Sequence, residues 1–332
     1  MATLVFNRDS IGVSLESHHL IVRDHADLAK PIQRVPLVEV ERVVVVGRPA
    51  ISFHVLAELM DRGIPCAFLT GRGIWRGMMD GDAGFHAARR KLQYQRLGNE
   101  FDRLELAKSL VATKIHNGRR LLQRLRSNRA ESVFAEADWR MLGGLEKTSA
   151  TIKDVEKLRG LEGLAAVVYF RMLSGFFPSE LPFHSRTRRP PKDASNALLS
   201  FLYTLLMNEF TAVLRAHGLD PSAGFFHRCE DRAPALALDL MEPLRASFMD
   251  ALAVNLVNHR RLKATRDFES HDGGVWLTDS GRAIVFAAFE EAVGRKLDES
   301  NAGNLRRQVE MTVLEFLRYL EKGIPPRFYR AG

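Results

Sequence analysis

The segment from Ala194 to Leu214, ASNALLSFLYTLLMNEFTAVL, is apolar on nearly every face that a helix would present. A helix that is hydrophobic all round is normally buried on all sides. Asp193 immediately precedes this segment, and its carboxylate can accept hydrogen bonds from the unpaired N–H groups of a first helical turn. The sequence therefore predicts a central buried helix, with the rest of a helical domain packed around it.

Helical patterns continue around this segment, whereas the first 80 residues have the pattern of β-strands. Short runs rich in β-branched residues alternate there with turn formers, at 3–6, 11–15, 19–22, 38–46 and 66–69. One helix, Phe53 to Asp61, interrupts them after Ser52, which can serve as its N-cap. We predict an α+β fold with an N-terminal β-rich domain over residues 1–82 and a larger all-α domain over residues 83–332.

Positive charge is concentrated in one segment. The chain has a formal net charge of +8, and residues 86–129 contain twelve Lys or Arg against three acids, a net charge of +9. A nucleic acid that follows such a segment releases condensed counterions, which favours binding at low salt. Arg89 and Arg90, near its start, are candidate DNA contacts. The alternative is an ordinary solvated helix face, which a basic helix often presents.

Cysteine content and hydropathy restrict the cell compartment. The two cysteines, Cys66 and Cys229, are too few for a disulfide framework or for a four-cysteine zinc site within one chain. No apolar run approaches the roughly 18 residues of a membrane span, and the N-terminus lacks the blocks of a signal peptide. We therefore expect a soluble, intracellular protein with no membrane association.

Glu162 lies in RGLEGLAAVVYF, residues 159–170, among small and apolar neighbours. A glutamate near the start of a helix commonly interacts with the helix dipole. However, Gly160 and Gly163 flank it, and two glycines weaken a helix, which is useful where a bulky partner approaches the backbone. The segment is compatible with either interpretation, a charge at a helix end or a functional carboxylate.

His227 ends GLDPSAGFFH, residues 218–227, where two phenylalanines direct the chain into the interior. A histidine in this position is either a hydrogen-bonded core residue or a ligand. Cys229 follows two residues later, but a zinc site would need a second ligand pair at a suitable spacing.

Asp239 and Glu242 lie three residues apart in LALDLMEPLR, residues 236–245, so a helix would direct both carboxylates to one side. They could equally form a capping box before a helix that begins near Pro243. Together with His227, however, they form the mixed nitrogen and oxygen donor set that suits Mg²⁺ or Mn²⁺. With the basic segment, this indicates a metal-dependent enzyme that acts on a phosphodiester backbone.

Four segments together resemble a known family. RGLEGLAAVVYF, HSRTRRPPKDASNALLSFLYTLL, GLDPSAGFFH and LALDLMEPLR occur in the order and spacing typical of the CRISPR-associated protein one family, the integrase of CRISPR adaptation. The resemblance is clearest from residue 91 to residue 320. It implies that Glu162, His227 and Glu242 bind Mg²⁺ or Mn²⁺. It also implies that these three residues and Asp239 are catalytic, with Asp239 beside the ion as an orienting residue or alternate ligand.

The same resemblance implies partners and a reaction. The expected assembly is a homodimer, formed through the N-terminal domain, that binds CRISPR-associated protein two and carries double-stranded prespacer DNA. A 3′-hydroxyl of this DNA would attack a phosphodiester of CRISPR repeat DNA by transesterification, in the prokaryotic cytoplasm. Expected DNA contacts are Arg186, Arg188, Arg189 and Lys192, in a loop before the buried helix, and Arg245. The loop could instead be an exposed, solubilising turn.

Two other functions fit the same residues. A non-catalytic DNA-binding scaffold would use the basic segment alone, and its carboxylates would be structural. A related transposon-type integrase would share the metal chemistry and differ in its DNA target.

Overall fold

The structure, a computed structural model, describes residues 2–71, 75–79, 86–127, 134–228, 233–294 and 304–332. It divides into two units, Met1–Phe85 and His86–Gly332. The first contains two β-sheets and the second is mainly helical, so the predicted α+β class is confirmed. Residues 80–85, where the predicted domain boundary falls, lie outside the described part of the chain.

The described residues of the N-terminal unit form eight strands and one helix. In chain order they are β1 (Ala2–Phe6), β2 (Ile11–Glu16), β3 (His19–Asp24), β4 (Gln33–Pro36), β5 (Val40–Val46), β6 (Ala50–Ile51), α1 (Phe53–Asp61), β7 (Cys66–Leu69) and β8 (Trp75–Met79). One sheet has the order β1-β5-β7-β8 and the other β4-β3-β2-β6. Apolar side chains from both sheets, including Leu20 and Cys66, share one core.

The strand predicted over residues 38–46 is shorter in the structure. Leu37–Glu39 form a 3₁₀ turn, and β5 begins only at Val40. Val38 is 79% exposed, so this end of the β-branched run has no apolar surface to pack against. The β propensity of the run is therefore overridden by its position after Pro36 at the edge of the core.

The helical unit carries most of the chain. Its elements, in chain order, are α2 (Ala87–Leu97), α3 (Glu100–Ser127), α4 (Glu136–Ser149), α5 (Val155–Ser174), α6 (Ala194–Ala216), α7 (Ala235–Leu244), a π-helical segment (Arg245–Asp250), α8 (Ala251–Asn258), α9 (Ala264–Asp267), β9 (Phe268–His271), β10 (Gly274–Leu277), α10 (Asp279–Gly294) and α11 (Leu305–Lys322). The antiparallel β9–β10 hairpin corrects the prediction that this domain is all-α. Asp272 and Gly273 at its turn both have positive φ, as a two-residue hairpin turn requires.

Helix α6 is the buried centre of this unit. Its side chains at Leu198, Leu206 and Phe210 are fully buried, and Asp193 accepts a hydrogen bond from the backbone N–H of Asn196 at 2.7 Å. By length and composition α6 is apolar enough to cross a bilayer, which the expectation of no such run had missed. However, 72% of its most apolar window is buried within the described structure, as in the core helix of a globular domain.

Helices α3, α5 and α7 and the π-helical segment frame the candidate site. The long helix α3 packs against α5, α7 and the π-helical segment, and Asn117 of α3 donates a hydrogen bond of 2.7 Å to the carbonyl of Pro243. Because Pro243 has no N–H, it cannot complete the regular pattern of α7, and the π-helical segment follows directly after Leu244. Single π turns inside helices often occur at functional sites.

Candidate metal centre

Glu162 of α5 and Glu242 of α7 meet at the ammonium group of Lys114 on α3. Lys114 Nζ makes a short contact with Glu162 Oε1 and lies 2.8 Å from Glu242 Oε2. The side chain of Glu242 is only 4% exposed, whereas those of Glu162 and Lys114 are 21% exposed. Two carboxylates that lie 80 positions apart in the sequence are thus brought to one point at the margin of the core.

Glu242 is ionised although it is buried. Burial raises the pKa of this carboxyl, but the charges of Arg245, Lys114 and His227 lower it by more, so the pKa lies well below its ordinary value. Arg245 Nη1 donates to Oε1 at 2.6 Å. Oε2 accepts no hydrogen bond of good geometry from any residue that the structure describes, although Lys114 Nζ is close. This oxygen therefore has electron pairs available for a better-placed cation.

Asp239 fixes the position of His227. Its Oδ2 accepts from the backbone N–H of Phe225 at 2.7 Å and of Phe226 at 2.9 Å. Its Oδ1 accepts from His227 twice, from the backbone N–H at 2.8 Å and from Nδ1 at 2.6 Å. A carboxylate has about four acceptor positions, and these bonds use them. The geometry therefore makes Asp239 an orienting residue, because no position is left for a direct metal contact.

The loop before α7 packs against Asp239 closely enough to require glycine at position 224. A Cβ at Gly224 would lie 2.8 Å from Asp239 Oδ2 and from Ala235, closer than real contacts allow. Asp239 itself lies inside α7, four residues after its first residue Ala235. The capping-box interpretation of Asp239 and Glu242 is therefore wrong.

The zinc interpretation of the sequence involves Cys229, which lies outside the described residues.

The orientation of His227 leaves Nε2 directed towards Glu242. Nε2 lies 4.0 Å from Glu242 Oε1, and the side chain is 34% exposed. Burial lowers the pKa of His227, but the hydrogen bond to Asp239 and the charges of Asp239 and Glu242 raise it by more, so the pKa lies above its ordinary value. Histidines that bind metals commonly donate a hydrogen bond from the N–H of the other ring nitrogen to a carboxylate, as His227 does here.

This pKa shift predicts a pH dependence of stability in chelator-containing buffer. A raised histidine pKa stabilises the folded state fully below the unfolded value, about 6.5, and the contribution is lost as pH rises through the folded value. We therefore expect the difference in unfolding free energy between the wild type and His227→Gln to be largest near about pH 6 and to shrink towards about pH 8.5. Urea titrations would measure it. A difference that grows with pH would contradict the assignment.

The donor set fits a divalent ion, but its members do not form a closed cage. Among the described residues, no three His, Cys, Asp or Glu side chains are grouped tightly enough to form a ready-made metal site. The separation of 4.0 Å between His227 Nε2 and Glu242 Oε1 is close to the widest span that one ion can bridge with bonds of about 2.0–2.1 Å. Two carboxylates, one of them with a buried oxygen that accepts no hydrogen bond of good geometry, and one imidazole nitrogen are donors that Mg²⁺ or Mn²⁺ accepts.

A cavity of about 40 Å³ adjoins these residues. Its wall includes Lys114, Arg188 and Arg245 as well as both glutamates. A volume of this size holds a few water molecules. Cations on the wall of an enclosed space attract anions strongly because screening is weak there. The cavity therefore combines oxygen donors for a cation with positive charges for an anion.

A buried network of hydrogen bonds and ring contacts packs against Arg245 of the cavity wall. The guanidinium of Arg245 lies 4.0 Å from the ring centroid of Tyr203, and Asp250 accepts hydrogen bonds from both Tyr203 and Tyr169, the latter at 2.6 Å. Burial raises the pKa of Asp250. The charge of Arg245 and the hydrogen bonds from the two tyrosine hydroxyl groups lower this pKa by less, so it lies above its ordinary value. Lys114, Tyr203 and Asp250 were not predicted as site residues, although an acid in an otherwise apolar helix was a visible signal for Asp250.

The predicted DNA contacts are of three kinds. Arg188, Arg189 and Arg90 are exposed. Lys192 donates to the carbonyl of Gly273 at 2.9 Å, and Arg89 to that of His217 at 2.6 Å, so both also fasten loops of their own unit.

Arg186 and Arg245 differ from this group because their guanidinium groups lie inside. Arg186 donates to Asn196 Oδ1 at 2.8 Å and to Ser200 Oγ at 2.9 Å, and burial lowers its pKa to about 10. Arg186 therefore holds the loop together, whereas Arg245 reaches the cavity beside Glu242.

The basic segment is also more interior than its charge suggests. Besides Lys114, Arg103 of α3 donates to Phe225 O, Arg119 pairs with Glu146 at 2.7 Å, and Arg120 donates to Gly332 O at 2.7 Å. Several of the cations counted on α3 are therefore paired within the protein, so the charge of the segment overstates its open basic surface. Its cations mainly connect neighbouring parts of the helical unit.

Comparison with known proteins identifies the family. Residues 4–291 match the family described as CRISPR associated protein Cas1. The CRISPR-associated endonuclease Cas1 2 of Rhodospirillum rubrum is 38% identical over 297 residues, which cover 86% of this chain and 84% of the relative. Membership of this nuclease family implies a divalent-metal requirement.

Two solved structures share the fold. One, described as a casposase bound to integration product, has a TM-score of 0.84 at 21% identity and covers 98% of this chain and 92% of that one. The other, from a Cas6-RT-Cas1–Cas2 complex, has a TM-score of 0.83 at 22% identity and covers all of this chain and 36% of that one. The resemblance predicted from the sequence is thus confirmed, and this chain belongs to the Cas1 family of CRISPR-associated proteins.

Proposed function

We propose that this protein joins DNA to DNA, by attack of a 3′-hydroxyl of a captured duplex on a phosphodiester at the border of a CRISPR repeat. The observation that carries the proposal is the convergence of Glu162 and Glu242 on the wall of a cavity that also presents cationic side chains, with His227 Nε2 4.0 Å from Glu242. A relative is named an endonuclease, and a casposase bound to integration product has the same fold. Both names describe chemistry at phosphodiesters.

Glu162, Glu242 and His227 Nε2 would hold one Mg²⁺ or Mn²⁺. When bound, such an ion supplies Lewis acidity at a phosphoryl oxygen and stabilises charge on the attacking or leaving oxygen. The hydrogen bond from Nδ1 to Asp239 keeps the imidazole in the tautomer whose Nε2 has a free electron pair. Because the nucleophile is a DNA hydroxyl, the chain need not supply one.

The cationic residues would position the DNA. Arg188 and Arg245 on the cavity wall are placed to neutralise the phosphodiester under attack, and exposed Arg189 and Arg90 would contact phosphates further away. Phosphate contacts fix the register of a duplex without reading its bases. The choice of repeat would therefore depend on other contacts.

The proposed assembly is a homodimer that works with CRISPR-associated protein two in the prokaryotic cytoplasm. A Cas1–Cas2 complex among the structures of the same fold supports this partner. We assign dimerisation to the N-terminal β-rich domain, and capture of double-stranded prespacer DNA and attack on the repeat to the helical domain.

The testing experiment is a covalent-joining assay. The protein, its partner, Mg²⁺, a labelled prespacer and a repeat-containing plasmid are incubated, and joined product is measured on a denaturing gel. We expect product with Mg²⁺ or Mn²⁺ and none with EDTA. Failure to join in the presence of ion and partner, by folded protein that still binds the prespacer, would contradict the proposal.

A non-catalytic DNA-binding scaffold is the second candidate, and one observation favours it. Lys114 and Arg245 together already pair with Glu162 and Glu242 within the protein, so the carboxylates are compensated without a metal ion. A scaffold would bind prespacer equally well with EDTA and would give no joined product under either condition. The same assay, with DNA binding measured in parallel, therefore separates the two functions.

The two glycines that flank Glu162 on α5 allow a further prediction. Apart from the adjacent residues and the nearby backbone of α5 itself, no described atom lies within 4 Å of the position that a Cβ would take at Gly160 or Gly163, so the folded chain does not itself require glycine there. We expect Gly163→Ala to stabilise the protein by about 0.5–1 kcal/mol, because alanine is the better helix former. If DNA approaches this backbone, joining falls although stability rises.

Gly144→Ala is the matched control, since Gly144 of α4 also has open space around it. It should give a similar gain in unfolding free energy and leave joining unchanged. An equal loss of joining in both variants, or unchanged joining in Gly163→Ala, would contradict an approach of DNA along α5.

A further inference from the structure

We infer that Lys114 is an internal counter-ion of the metal site, and that a divalent ion binds by displacing its ammonium group from Glu162 and Glu242. The inference rests on the proposed metal site. Lys114 Nζ contacts one oxygen of each carboxylate, Glu162 Oε1 and Glu242 Oε2. These oxygens belong to two different helices, α5 and α7, and the ammonium comes from a third, α3. One monovalent group therefore occupies the position that two of the three proposed ligands share.

Electrostatics requires a cation at this point. Two carboxylate groups that contact the same ammonium, one of them almost fully buried, repel each other unless positive charge lies between them. Lys114 supplies that charge within the folded chain. A divalent ion on the same oxygens would repel the ammonium at a distance of a few ångströms, where weak screening makes the repulsion strong. The two cations are therefore competitors for one place.

Lys114 and Arg245 both pair with Glu242, and of these two Lys114 is the one able to leave. Arg245 is held between Glu242 Oε1, at 2.6 Å, and the ring of Tyr203, at 4.0 Å, and its side chain is 9% exposed. Lys114 is 21% exposed, and its contact with Glu242 Oε2 is an ion pair without good hydrogen-bond geometry. A lysine stem also has four flexible bonds and a compact charge, so the ammonium can swing without disturbing the helix.

The adjoining cavity receives the displaced ammonium. Arg188 and Arg245 already line its wall, so the movement brings a third positive charge, released from its two carboxylates, to where a phosphodiester would lie. Binding of the ion then makes this space more attractive to phosphate, and by linkage phosphate there favours binding of the ion. The metal-dependent step and the capture of a phosphodiester would thus be coupled through one side chain.

Lysine footprinting tests the displacement in the wild-type protein. The folded chain is treated briefly with an amine-acetylating reagent, with EDTA or with Mg²⁺, and modification is measured by mass spectrometry. Lys114 should react several-fold faster with Mg²⁺, because its ammonium is released from two ion pairs. Lys108 is the internal control: it lies on the same helix, is 16% exposed and pairs with Glu105 at 2.7 Å, so its reactivity should not change. Equal reactivity of Lys114 in both buffers would overturn the inference.

Calorimetric titration with Mn²⁺ provides the second test and separates this inference from the proposed function. Lys114→Met should bind Mn²⁺ on the order of tenfold more tightly than the wild type. A neighbouring charge changes the equilibrium of a cation with a carboxylate by about this factor. Lys108→Met should bind as the wild type does. If the wild type and Lys114→Met bind Mn²⁺ equally, the metal site stands and the displacement is refuted. If neither binds Mn²⁺, both the metal site and the displacement are refuted.

Discussion

Glu162→Gln is expected to lower covalent joining by on the order of a thousandfold or more, because it removes one of two carboxylates that would hold the ion, and the ion contributes several kcal/mol to the transition state. The protein should stay folded. Glutamine has nearly the same shape, its oxygen can still accept from Lys114, and the position is only partly buried. Rates of joining at saturating prespacer, together with the urea midpoint, measure the two effects separately.

Glu156→Gln is the matched control for this variant. Glu156 lies on the same helix, is 57% exposed and pairs with Arg159 and Arg228. Exposed ion pairs contribute little to stability, so both joining and unfolding should stay near the wild-type values. A Glu162→Gln protein that is folded and joins DNA at the wild-type rate would remove Glu162 from the metal site.

Asp239→Asn is expected to cost about 2–4 kcal/mol of unfolding free energy, because buried donors would lose their acceptor. The carboxylate is fully buried and accepts four hydrogen bonds, three from backbone N–H groups and one from His227 Nδ1. An amide has a single acceptor oxygen and places an N–H group against the remaining donors. His227 would also lose its orientation, so affinity for Mn²⁺ should fall by roughly 10–100-fold.

Asp220→Asn tests whether these losses are specific. Asp220 lies in the loop that contains His227 and accepts from Ser222 N at 2.8 Å and from Tyr94 at 2.7 Å, but it is partly exposed. Water can replace a lost bond there, so we expect a cost below about 1 kcal/mol and unchanged Mn²⁺ affinity. Equal effects of the two substitutions, in urea unfolding and in calorimetry, would argue against the special role of Asp239.

Much of the fold follows from local patterns. The apolar segment of α6 and its Asp193 cap predicted the centre of the helical unit, and the β-branched runs predicted most of the N-terminal strands. The β9–β10 hairpin was missed although Asp272–Gly273 is a strong turn signal, because the flanking strands have only four residues each. β4 and β6 were missed for a related reason: they are short and are held by their neighbours in the sheet.

The sequence predicted which acidic and histidine residues form the candidate site, but not which positive charges pair with them. Sequence spacing placed Asp239 and Glu242 on one helix, the residue types made His227 and Glu162 candidates, and the family resemblance grouped Glu162, His227 and Glu242 as metal ligands. Nothing local predicted Lys114, because its partners lie 48 and 128 positions away and a lysine in a basic segment is typical of a solvated surface. The charge count likewise overestimated the open basic surface, since a count does not show which cations pair inside the fold.

Anomalous diffraction from crystals soaked in Mn²⁺ tests the central claim most directly. We predict one strong peak bonded to carboxylate oxygens of Glu162 and Glu242 and to His227 Nε2, at about 2.0–2.3 Å from each, with Lys114 Nζ turned away from both carboxylates. A Mn²⁺ peak elsewhere in the chain, with Lys114 still between the two glutamates, would contradict the account.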